Sequence, residues 1–308
     1  MVAVLETRGL RKEYGPVVAL DSLDLTVQRG EVFGFLGPNG AGKTTFTKCV
    51  TGFVRPTAGS VSVCGIDALA HPTKVASHIG LVPDQYDFYP NLTGRQHLEF
   101  YGRLLGMPTH QRRDRIAEVL DLVAMADRAD RRVKGYSHGM KQRICIAQAI
   151  LHKPDLLLFD EPTNGLDPKG AYELREMIRG LAKDGTTVFL NSHQLSEVEQ
   201  VCARVAIVDR GRLVAVDSVH ALQRRASGNM VEVRVLNPSA KLVTAAAKFV
   251  RAKPVLDGSL LRFAASEEET ANVLTALVAA GARVVSVQQA GSLESAFLQL
   301  TATPEVPA

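Results

Sequence analysis

Residues 37–45 read Gly37, Pro38, Asn39, Gly40, Ala41, Gly42, Lys43, Thr44, Thr45. They complete the pattern G-x-x-x-x-G-K-[ST], a phosphate-binding loop. Glycines lack a Cβ, so backbone N–H groups can converge on phosphate oxygens. A helix starting at the lysine adds partial positive charge at the same point. Lys43 is expected to reach the β- and γ-phosphates, and Thr44 to offer its hydroxyl to Mg²⁺. A chance Gly-rich turn would not need the flanks seen here. Residues 31–36 (EVFGFL) suit a buried strand, and residues 45–50 can continue as a helix. The chain is therefore expected to bind a nucleoside triphosphate.

A second cluster lies at 155–162, DLLLFDEP. Four apolar residues ending in two acids describe a buried strand with carboxylates at its tip, where α/β sheets bind ligands. Asp160 is suited to hold Mg²⁺, and Glu161 to polarise the attacking water.

These groups need a scaffold, and the pattern supplies one. Residues 18–27 and 59–64 read as strands of an antiparallel layer. Residues 96–105, 114–124 and 140–151 have helical apolar spacing, a helical insert after the phosphate loop. Short apolar runs at 156–159, 187–190 and 205–208, with a helix over 169–183, imply a parallel α/β core. The rhythm breaks at 224–229 and restarts. Strand 231–236, helix 239–250, a hairpin turning at Asp257-Gly258, helix 267–280 and strand 283–287 give βαββαβ, the split-βαβ order. An amphipathic piece at 293–300 is expected to pack back on one domain, and 303–308 to fray. The expected domains are thus 1–225 and 229–302.

The 308 residues suit two domains, and 46% hydrophobic residues suit a globular protein. Net charge is +4, and residues 226–308 carry seven charges of each sign, so the excess belongs to the nucleotide-binding part. It is too small to argue for nucleic acid. Cys49, Cys64, Cys145 and Cys202 are far apart and form no C-x-x-C pair, so neither a zinc site nor a disulfide framework is expected. Reduced thiols in a cytosolic protein are the plain reading. No signal-peptide pattern opens the chain and no run approaches the ~18 apolar residues of a membrane span.

Residues 136–143 (YSHGMKQR), just before the acidic strand, resemble the signature motif of ATP-binding cassette (ABC) ATPases. The resemblance covers about residues 1–225. His138 stands where the commonest version has Gly, and Met140 where it has Gln, as in type-two exporter ATP-binding subunits for drug, antibiotic or lipid efflux. Tyr14, before Gly15-Pro16, resembles the aromatic that stacks on adenine. Ser137 and Gly139 resemble the groups that meet the γ-phosphate held by a partner chain. Asn164-Gly165-Leu166-Asp167 resembles the loop that carries communication between sites, with Asp167 toward the nucleotide. His193 resembles the switch histidine. After 81–83 (LVP) the resemblance calls for a Gln that senses Mg²⁺ and water, but Asp84 occupies that place and Gln85 follows. Gln85 is favoured for the role, with Asp84 the alternative. Residues 292–298 resemble the closing segment of exporter subunits.

The resemblance implies a phosphate-loop ATPase core with an antiparallel β-layer, a helical subdomain and a small α+β domain. It implies Mg²⁺-dependent ATP hydrolysis by a homodimer that sandwiches two nucleotides. The partner would be a separate integral-membrane permease, and the place the cytoplasmic face of the membrane. Residues 86–90 would open the permease-docking insert. A soluble ABC ATPase acting in translation or DNA metabolism is the alternative. Such proteins usually carry two cassettes or long coiled coils, and this chain carries neither.

Overall fold

The computed structural model describes residues 2–289 and 291–301. The expected fraying at 303–308 and the domain end at 302 lie outside them. The chain divides into two compact units, one running to Val216 and the other starting at Asp217. That division falls before the break in pattern at 224–229, because residues 219–227 form a helix assigned to the second unit.

The first unit has two sheets. A four-stranded antiparallel sheet runs in the order Val17–Gln28, Ala3–Tyr14, Ala58–Val63, Ile66–Asp67. The second sheet has six strands, in the order Arg212–Ser218, Arg204–Asp209, Val32–Leu36, Thr187–Ser192, Leu156–Asp160, Ile79–Val82. From Arg204–Asp209 to Ile79–Val82 the pairs are parallel. Their apolar runs are buried on both faces, as parallel strands between covering layers require. Parallel pairing brings every strand's C-terminal tip to one edge. The register sets Leu36 beside Ser192 and Asp160 beside Asn191, so the phosphate loop, the acids and the residues before His193 emerge together.

Beneath the loop, the ring of Phe46 stacks on Phe35 at 4.6 Å and on Phe189 at 5.5 Å between centroids. All three are fully buried. This aromatic cluster fixes the helix Lys43–Val50 against the sheet, and so fixes Lys43.

The helical insert comprises Gly94–Leu104, Thr109–Leu122 and His138–Ala149. A capping box opens the first: Thr93 accepts from the Gln96 N–H, and Gln96 reaches back to the Thr93 N–H. Ser137 caps the third by accepting from the Met140 N–H.

In the second unit the sheet order is Val255–Asp257, Leu260–Ala264, Met230–Val235, Val284–Gln289, all antiparallel. The strand Leu260–Ala264 splits the pair joined by the first helix, which is the split-βαβ arrangement. That first helix, Ala240–Ala246, is shorter than the 239–250 pattern. It closes through the Ala247 N–H to the Val243 carbonyl and the Phe249 N–H to the Ala246 carbonyl. The core of this unit is built from Val231, Val233, Val235, Leu261, Phe263 and Leu277 with their neighbours.

Candidate nucleotide site

Val32–Leu36 is wholly buried and delivers the loop at its tip. Two glycines are sterically required there. A Cβ on Gly42, whose φ is +101°, would lie 2.4 Å from the Ala19 carbonyl oxygen, and one on Gly37 would lie 2.5 Å from that of Val208. The loop is pressed against its neighbours so closely that neither position can carry a side chain. Lys43 is 8% exposed. Its Nζ donates to the Gly37 carbonyl at 2.7 Å and to that of Pro38 at 3.3 Å. Burial lowers the ammonium pKa, and the charges of Glu161 and Asp160 pull it back up.

Asp160 accepts from the Asn191 amide at 2.7 Å. Burial, with Glu161 next to it, raises the Asp160 pKa. Glu161 has a φ of +50°, a conformation that non-glycine residues seldom take and that clusters at functional sites. Its N–H donates to the Asn191 carbonyl at 2.8 Å. This turn brings the carboxylate back over the loop. One oxygen stands 3.9 Å from Lys43 Nζ, and the other 2.8 Å from His193 Nδ1. That second oxygen also accepts from the Ser192 hydroxyl and the His193 N–H, each at 3.3 Å.

Lys43, Asp160 and Glu161 line one cleft of about 330 Å³ with Pro38, Asn39, Gly40, Gly42, Thr44 and Thr45. Thr44, Asp160 and Asp84 present hard oxygen donors to it, a set that suits Mg²⁺. Ala41 is buried behind the loop. Tyr14 is 46% exposed at the end of its hairpin, with Lys12 Nζ 4.9 Å above its ring. Val17, Val18 and Ala19 from the facing strand line the cleft, and Tyr14 does not. Ser137, Gly139 and Asp167 also lie outside it. Ser137 and Asp167 cap the helices His138–Ala149 and Pro168–Lys183. Gly139 faces Leu166, Gly170 and Leu174.

The structure does not bring Gln85 to the cleft. Asp84 lines it, and Gln85 points to solvent. The reason is local. The Asn164 amide donates to Asp84 at 3.0 Å, and the Gln194 amide donates to Asn164 at 3.2 Å. Gln194 in turn bonds Ser192 through its N–H at 3.0 Å. This chain of amides holds position 84 beside Asp160 and leaves position 85 outside. Asn164 belongs to the loop that resembles the communication segment, whereas Asn191, Ser192 and Gln194 carry no expected role of their own. The only sequence signal of these three is adjacency to His193. Asp84→Ala should lower Mg²⁺-dependent turnover by about tenfold, the worth of one hydrogen bond of ~1.4 kcal/mol. Gln85→Ala should leave it within a factor of two. Steady-state ATPase assays of the two variants check this, and the reverse order would return the role to Gln85.

The fold and the cleft define a phosphate-loop nucleoside triphosphatase. The ABC transporter family pattern matches residues 20–164. The chain is 33% identical over 305 residues to the linearmycin resistance ATP-binding protein LnrL of Bacillus subtilis, covering 97% of this chain and 98% of that one. It is 37% identical over 298 residues to the daunorubicin resistance ATP-binding protein DrrA3 of Streptomyces coeruleorubidus, covering 95% and 94%. A solved ATP-binding subunit of an ABC transporter superposes with a TM-score of 0.66 at 28% identity, over 72% of this chain and 92% of that one. The chain belongs to the ATP-binding subunits of the ABC transporter family. It is an ATP-binding, ATP-hydrolysing transport ATPase, a class that works with separate membrane components.

Proposed function

We propose that this chain is the energy-coupling subunit of an exporter whose cargo is drug-like, antibiotic or lipid, acting on a separate integral-membrane permease from the cytoplasmic face. The observation that carries the reading is the gathering of Lys43, Asp160 and Glu161 at one cleft, with His193 bonded to Glu161, in a chain similar to resistance ATP-binding proteins across both of its units. No helix among the described residues is long and apolar enough to cross a membrane, so transport needs a partner that does.

The cleft suggests how the residues share the work. Lys43 exchanges the Gly37 carbonyl for phosphate oxygens when ATP enters. Thr44 and Asp160 would hold Mg²⁺, with Asp84 beside them. Burial raises the Asp160 carboxyl pKa, with the charge of Glu161 adding to it, and a bound cation would favour the ionised form. Bound Mg²⁺ supplies charge neutralisation at the phosphates. Glu161 takes the proton of the attacking water. His193, already held by Glu161, is placed to meet the γ-phosphate. Tyr14 stands at the cleft's rim, where it would stack on adenine. Ser137, Gly139 and Asp167, which lie outside their own cleft, would serve the nucleotide of a partner copy and so close a homodimer. ATP favours the closed state because it alone bridges both chains, and a ligand shifts an equilibrium only by such differential affinity.

The aromatic segment 86–90 is divided between interior and surface. Tyr86 stacks on His138 at 6.0 Å, and Phe88 packs edge-on to the buried His97 at 4.6 Å. Tyr89 is 56% exposed and meets Phe100, itself 38% exposed, at 5.6 Å. Tyr89 and Phe100 therefore form the permease-facing part. Tyr89→Glu should shift the chain from the membrane fraction to the soluble fraction in cells that carry the permease, while basal ATPase stays within a factor of two. Membrane retention equal to that of the unmodified chain would remove this surface from the docking role.

A further inference from the structure

On the sheet edge opposite the nucleotide, three side chains from distant parts of the sequence converge. The ligating atoms of Cys64, His78 and Asp155 lie within 4.8 Å of one another. Asp155 precedes the strand whose other end is Asp160. Five residues at ~3.3 Å each put the two acids about 16 Å apart.

The cluster stands on a fixed frame. The Leu156 N–H donates to the His78 carbonyl at 3.0 Å, and the Thr187 N–H donates to the Asp155 carbonyl at 3.0 Å. His78 and Asp155 are thereby held at the starts of adjacent parallel strands. The Cys64 N–H donates to the Val4 carbonyl at 2.8 Å. His78 Nδ1 is 2.6 Å from one Asp155 oxygen, and Arg29 donates to the other at 2.6 Å. Arg29 also reaches the Cys64 sulfur at 3.8 Å.

The backbone at Cys64 gives a separate reason to look here. Cys64 and Gly65 form the two-residue loop that joins Val63 to Ile66, with φ values of +52° and +77°. Such a loop favours Asn, Asp or Gly at its first position. Cys contributes nothing to this turn and is disfavoured in it. Its thiol, however, faces an imidazole and a carboxylate.

We propose that Cys64, His78 and Asp155 bind a zinc ion, with Arg29 as the cation that holds the site until the metal arrives. Sulfur, nitrogen and oxygen donors together suit Zn²⁺, with water as the fourth ligand. On binding, the Cys64 thiol proton leaves to solvent, and the imidazole keeps its remaining proton on Nε2, so that Nδ1 can ligate. The Arg29 side chain, 48% exposed, swings outward and releases Asp155. The ion would clamp the antiparallel layer, through the 63–66 hairpin, to the strand starts of the α/β core.

Cobalt substitution tests this on the full chain after chelator treatment. Co²⁺ should bind with a thiolate-to-cobalt charge-transfer band, which oxygen ligands at the nucleotide cleft cannot give, and Zn²⁺ should displace it. Cys64→Asn suits the turn and keeps the fold, which unchanged ATP binding will verify. It should abolish the band and weaken Zn²⁺ binding by more than about 100-fold, beyond what outer-shell partners alone command. Arg29→Ala should tighten Zn²⁺ binding, because the competing cation is gone. Absence of the band in the unmodified chain, or its persistence in Cys64→Asn, would overturn the proposal.

Discussion

Glu161→Gln should leave ATP binding intact and lower turnover by ~10²–10⁴-fold, the usual worth of a general base. The geometry sets this expectation. The carboxylate is held by His193 Nδ1 at 2.8 Å, by the Ser192 hydroxyl and by its own backbone turn, all beside the cleft. An amide of the same shape keeps the contact with Ser192 but cannot take a proton from water. Because ATP would then persist, the variant should collect as an ATP-bound dimer, visible by size-exclusion chromatography. Single-turnover assays with labelled ATP separate binding from chemistry. Turnover near that of the unmodified chain would take Glu161 out of the base role.

Lys43→Ala should act one step earlier, on nucleotide affinity. Lys43 is buried and spends its protons on the Gly37 and Pro38 carbonyls, so phosphate oxygens can replace those partners without new side-chain ordering. Hydrogen bonds to charged groups contribute ~1.5–3 kcal/mol each, so ATP affinity should fall by roughly 10–100-fold. The variant should fold, since the aromatic cluster of Phe35, Phe46 and Phe189 below the loop is untouched. Equilibrium binding of a fluorescent ATP analogue measures the loss. Unchanged affinity would contradict the phosphate-loop assignment.

The site was legible where chemistry is compressed into a few adjacent residues. The phosphate loop and the Asp160–Glu161 pair each declare their neighbours, and the strands 32–36, 156–160 and 187–192 were visible as apolar runs. The strand Ile79–Val82 was not, because four residues carry no periodicity. The helices Leu195–Val201 and Val219–Ser227 were missed for a related reason: short helices show only a turn or two of pattern. Missing the second of these placed the expected boundary at 225. The amide chain of Asn164 and Gln194 that holds Asp84 at the cleft joins residues 80 positions apart and has no linear signature. The same holds for Cys64, His78 and Asp155. Cysteine spacing argued against zinc, yet folding supplies the histidine and the carboxylate from elsewhere.

The central claim is that this ATPase drives a membrane partner, and recovery of the chain from native membranes tests it most directly. Mild-detergent extraction and affinity purification, followed by mass spectrometry, should return one integral-membrane protein with several spans in near-equal amount, together with ATPase activity that Glu161→Gln removes. Recovery of ribosomes or DNA with no membrane protein would contradict the exporter reading.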